Sequence, residues 1–168
     1  MSLATKAGGA LCVVALIGYL VGPDAGTGNA QCAAPVVPGY GADQLGNAAT
    51  IVAVGRDMDV PERGQVVAVA TAMQESGLRN VNYGDRDSLG LFQQRPSMGW
   101  GSPAQVMTPT YSARKFYERL RAVAGWQQMS VARAAQQVQR SAFPTAYAKH
   151  ENTARTIVDA VHRGCVTP

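Results

Sequence analysis

The segment Thr71-Ala72-Met73-Gln74-Glu75-Ser76-Gly77-Leu78 sets an acid at the end of an apolar run, and its reading decides the fold. Val66, Val69, Ala70 and Met73 recur at helical spacing, while Val67, Ala68, Thr71 and Ala72 leave the other faces apolar or small. That pattern predicts a helix buried nearly all round, the central helix of its domain. Asp59-x-x-Glu62 matches a capping-box start signal and Pro61 suits a first turn, so the helix is expected to begin near residue 60. Gly77 supplies a left-handed stop, which puts Glu75 in the last turn beside the negative end of the helix dipole. Burial and the dipole both disfavour the carboxylate and push the Glu75 pKa upward, as a proton donor working near neutral pH requires. Ala68, Thr71 and Ala72 share the helix face of Glu75, and their small side chains are expected to leave room for a ligand. A glutamate held in a structural salt bridge fits the same position.

Further along, Ser88-x-Gly90-Leu91-Phe92-Gln93 follows Glu75-Ser76, and Tyr147 stands in a helical C-terminal segment. In order and rough spacing these residues resemble the Glu-Ser, Gly-Leu-Met-Gln and tyrosine motifs of lytic transglycosylases and goose-type lysozymes. Residues 74–100, together with Ala134-Ala135-Gln136-Gln137-Val138-Gln139-Arg140-Ser141-Ala142-Phe143-Pro144, are more closely similar to small exported lysozyme-like proteins of high-GC Gram-positive bacteria. The likeness covers roughly residues 42–163. It departs from the transglycosylase pattern at Phe92, where Met is usual, and at Gln139-Arg140-Ser141, near where an Ala-Tyr-Asn segment is expected. The resemblance implies a mainly α, lysozyme-like helical domain at 42–165, with peptidoglycan glycan strands as its partner. It also implies Glu75 as general acid and base, and Tyr147 as a site residue. Two functions follow from it. One is a muramidase in which Glu75 protonates the glycosidic oxygen between N-acetylmuramic acid and N-acetylglucosamine, acting as a lytic transglycosylase or as a hydrolase. The other is a non-catalytic glycan-binding or envelope-assembly module, because a fold does not fix a function.

Residues 78–109 are rich in Gly, Asn, Asp and Pro and run longer than a connector needs, which marks a binding loop. Asp85 and Asp87 are candidates for a second carboxylate that activates water or steadies positive charge on a sugar ring. Either could instead form a turn or cap the short segment bearing Leu91 and Phe92. Ser88, Gln93 and Gln94 offer neutral groups that orient a sugar, although Gln93 could equally fasten backbone. Trp100, between Gly99 and Gly101, presents either a flat face to a sugar or a buried anchor for the loop. Trp126 reads as core. His150 and His162 lack ligand spacing, and nothing in the chain calls for a metal or a cofactor.

At 168 residues, with 46% hydrophobic and 15% charged, the chain suits one ordered domain and is expected to work as a monomer. Its net charge of +4 suits approach to an anionic wall, and no Lys/Arg run marks a nucleic-acid partner. Lys6 precedes an uncharged stretch at 7–22, and Gly28-Asn29-Ala30 offers a cleavage site. Residues 1–30 therefore read as a signal peptide or an N-terminal membrane anchor, and the protein is expected to be exported, secreted or wall-associated. Residues 31–41 read as a linker or extended arm. Of three cysteines, Cys12 lies in the export segment, so Cys32 and Cys165 are expected to pair, closing a long loop for roughly 4 to 5 kcal/mol. Helical spacing also marks 45–54, 110–123, 130–139 and 144–162, and no segment has a strong strand pattern.

Overall fold

Gln44 shows how the chain is locked at the place that matters. In the computed structural model, which describes residues 37–141, 143, 145–164 and 167–168, helix α1 (Ala42–Asp57) starts after Gly41. Gln44 reaches back from its first turn to accept the Gly41 N–H at 3.0 Å. The same amide donates to Gly77 O at 2.6 Å, and Asn47 Nδ2 donates to Leu78 O at 2.9 Å. The start of α1 thereby satisfies carbonyls just past the end of α2 (Glu62–Ser76), where a helix leaves them without partners.

Helix α2 carries the acid. Residues 64–73 are all buried, and burying each valine among them contributes about 1.5 kcal/mol or more. Thr71 is satisfied inside by donating to Val67 O at 2.7 Å. The expected Asp59 capping box does not form, but the helix does begin close to residue 60, at Glu62. Pro61 is its N-cap, with ψ of 155° and no side-chain cap bond. Asp59 is instead left-handed at φ 53°, reversing the chain between α1 and α2, and the residue before a proline is biased against helix.

Helix α3 (Pro103–Val106) is one turn, capped by Ser102 and Gln105. It leads into α4 (Pro109–Ala122), α5 (Val131–Gln139, capped by Ser130) and α6 (Glu151–His162). Helices α1, α4, α5 and α6 all pack against α2. Among the described residues the protein is mainly helical and has no strand, only an isolated bridge between Leu89 and Gln94. The expected helix at 144–162 is shorter: a 3-10 turn (Ala148–His150) precedes α6, and Tyr147 stands ahead of both. His150 Nε2 lies 3.1 Å from Gln74 Oε1, which fastens that turn to α2. Among the described residues no helix is long and apolar enough to cross a membrane. The expected export segment at 1–30, most of the expected arm at 31–41, and Cys32 and Cys165, which were expected to pair, lie outside the described residues.

Candidate active site

Helix α2 stops at Gly77, which is left-handed (φ 62°, ψ 34°), as the residue type predicts. Leu78 is left-handed too, at φ 61°, although its side chain is fully buried. A leucine in that region is strained, and its burial holds it there. Ser76 Oγ lies 2.8 Å from Leu91 O and 3.1 Å from Ala72 O, so its hydroxyl binds the helix end to the loop. Leu91 and Phe92 are fully buried, and Phe92 stacks on Phe116 of α4 with centroids 4.9 Å apart. The loop is therefore anchored in the core directly beside Glu75.

Glu75 is half-buried. Tyr147 donates its phenol proton to Glu75 Oε1 at 2.7 Å. Burial pushes the Glu75 pKa upward, and hydrogen bonds from Tyr147 and Gln139 oppose the shift without cancelling it. Tyr147 is itself pushed well up, first by burial and then by the Glu75 charge, so it stays a phenol. The Ser141 hydroxyl bonds Tyr147 in turn. Gln139 Nε2 donates to Phe92 O at 2.7 Å, holding the end of α5 against the loop.

Glu75 opens into a cleft of about 910 Å³. One wall is the loop, with Asp85, Ser88, Gln93, Arg95, Met98 and Trp100. The other comes from the end of α4, with Arg119, and from the end of α5 and beyond, with Gln139, Arg140, Ser141 and Phe143. Met98 and Phe143 are exposed there.

The loop candidates separate on inspection. The Asp87 carboxylate accepts from Ser97 N–H at 2.7 Å, from Ser97 Oγ at 3.0 Å and from Arg95 Nε at 2.8 Å. These donors hold its pKa well below the usual range, so Asp87 is a loop clasp. Asp85 is on the cleft rim, its side chain 90% exposed, with Arg86 at 4.0 Å. Gln93 does fasten backbone: its Nε2 reaches Tyr83 O at 3.2 Å and Gly90 O at 3.3 Å. Its amide oxygen fills the space where a Cβ on Gly84 would sit, which explains the glycine. Its side chain still lines the cleft, as does that of Ser88.

Three expectations change. Gln94 does not reach a sugar: it is buried and donates to Ser112 O at 2.9 Å, because its bridge partnership with Leu89 turns it inward. Trp100 is only 6% exposed, and the Arg119 guanidinium lies 3.5 Å from its ring centroid, so the face expected for a sugar is occupied. Ala68, Thr71 and Ala72 are fully buried and leave no room for a ligand; core packing fills that side of α2. Arg119, Arg140, Met98 and Phe143 were not singled out from the sequence. Only the departure of Gln139-Arg140-Ser141 from the transglycosylase pattern drew attention to that wall.

No protein-family model matches the chain, and no curated protein matches it.

Proposed function

We propose that this protein is a peptidoglycan-cleaving muramidase with a lysozyme-like fold built round α2, and that Glu75 is its general acid and then its base. The observation that carries the reading is a half-buried carboxyl with a raised pKa, gripped on one oxygen by Tyr147 and lining a cleft of about 910 Å³. In the first step Glu75 protonates the glycosidic oxygen as the bond from muramic C1 breaks, and the N-acetylglucosamine end leaves as an alcohol. The Glu75 carboxylate then takes the proton of the muramic 6-hydroxyl while that oxygen bonds to C1. This closes an anhydro ring and restores the acid. Transfer of this kind needs no second carboxylate, and it is favoured over hydrolysis because Asp87 is committed to Arg95 and Ser97 while Asp85 is almost wholly in solvent. We propose that the protein acts outside the cytoplasm, where such a polymer lies.

Mass spectrometry of purified peptidoglycan after incubation with the protein tests the reading. Anhydro-muramyl ends are expected. Reducing ends would make it a hydrolase with Asp85 as the remaining candidate, and binding without cleavage would make it a glycan-binding module.

A further inference from the structure

Two of the guanidiniums that line the cleft stand without a carboxylate partner among the described residues. Arg95 is paired with Asp87 at 2.8 Å, and the Glu75 carboxyl accepts from the Tyr147 phenol at 2.7 Å rather than from a cation. That leaves Arg119 and Arg140 on the α4 and α5 wall, and among the described residues neither has a carboxylate partner. Asp85, out on the rim, is the other anion lining the cleft, and its nearest cation is Arg86.

Both arginines are positioned at a cost. Arg119 is half-buried, its guanidinium carbon over the Trp100 ring at 3.5 Å from the centroid, with Nη2 donating to Met98 O and Gly99 O at 3.3 Å each. Among the described residues its Nε and Nη1 have no hydrogen-bond partner, so three N–H groups of the guanidinium are unpaired on a residue that lines the cleft. Burial, and after it the charge of Arg140, works against its protonation, so the two cations sense each other. Arg140 ends α5 in the left-handed conformation at φ 54°. Glycine is the residue that takes this position without strain, so the side chain is kept against a backbone preference. Two guanidiniums without carboxylate partners on one wall of a cleft of about 910 Å³ suit a planar anion, because arginine matches a carboxylate in a two-pronged way.

We propose that Arg119 and Arg140 form an anion subsite that selects glycan whose muramic acid carries a free carboxylate, either the lactyl group itself or the peptide attached to it. This deepens the muramidase reading and rests on it. Neutral chitin-type oligomers then fill the cleft without engaging this wall, and the arginines are specificity determinants that act on binding.

Calorimetric titration of the full chain bearing Glu75→Gln, which binds without cutting, separates the possibilities. The probes are peptide-free muramyl tetrasaccharide, the peptide-bearing form, both after amidation of their carboxyls, and the neutral N-acetylglucosamine tetrasaccharide. At least one carboxylate form should bind about tenfold tighter than its amidated partner at low salt. Which of the two does so identifies the source of the carboxylate. Arg140→Gln, an exposed change with little risk to folding, should reduce that preference and leave the neutral tetrasaccharide unaffected; Arg119→Lys, which keeps charge but loses the fork, should reduce it in part. Equal binding of carboxylate and amidated forms, or a preference untouched by Arg140→Gln, overturns the subsite and leaves the glycan reading standing. If none of the five probes binds, the glycan reading falls and the subsite falls with it.

Discussion

The end of α2 and the loop that follows it each present a carboxylate, and the fold treats the two in opposite ways. Glu75 is drawn out of water and given one phenol and a neighbouring amide, so desolvation outweighs its hydrogen bonds and its pKa rises. Asp87 stays near solvent and gathers a backbone N–H, a hydroxyl and a guanidinium, so its donors win and its pKa falls. The signs carry through to stability. Asp87 contributes stability above its unfolded pKa and loses it as pH falls through its lower folded value. Burying Glu75 costs stability above its raised folded pKa, and that cost disappears as pH falls below its unfolded value. Proximity to a cleft does not set the direction of a carboxylate's pKa; the balance between lost water and gained donors does.

Exchanging the charges is the strongest way to break this contrast. Glu75→Gln keeps the shape of the side chain and removes the transferable proton, so kcat on peptidoglycan should fall about a hundred- to ten-thousand-fold with the fold intact. A loss below about tenfold would remove Glu75 from the chemistry.

Trp100→Ala comes next, and it tests what the loop wall is made of. A buried indole under a guanidinium is part of the core, so the change should cost about 3 to 5 kcal/mol in urea unfolding. An unchanged unfolding midpoint would mean that the ring serves a ligand after all.

Tyr147→Phe sharpens the comparison by moving Glu75 further from Asp87. With Glu75 as the proposed acid, activity would require its protonated form, and the rate would fall as pH rises through its pKa. Removing the phenol removes a hydrogen bond that lowers this pKa, so the alkaline limb of the pH profile should move to higher pH, with a loss of about tenfold or more at the optimum. A limb that moves to lower pH contradicts the assignment. Asp87→Asn should have the smallest effect, less than about tenfold in rate, with the alkaline limb in place.

Much of this arrangement was legible along the chain wherever it depended on neighbours in sequence. The apolar run before Glu75, the Gly77 stop and the apolar Leu91 and Phe92 follow from helical spacing, backbone freedom and hydrophobicity, which are local properties. Trp100 could not be resolved that way, because the group that covers its ring is Arg119, on a different helix. Gln94 looked like its neighbour Gln93 until the Leu89 bridge set which of them turned inward. The Asp59 signal was misleading because a tight reversal before Pro61 needed a left-handed residue more than it needed a cap. The two arginines were hidden for the same reason as the Trp100 cover: Arg119 and Arg140 stand at the ends of two helices and line one cleft only in the folded protein.

The most direct measurement is a carbon-13 NMR titration of the side-chain carboxyls in the full chain. The account predicts that Glu75 titrates above its ordinary value of 4.5 while Asp87 titrates below its ordinary value of 3.8. A Glu75 midpoint at or below 4.5 would contradict the claim that burial at the end of α2 prepares a proton donor.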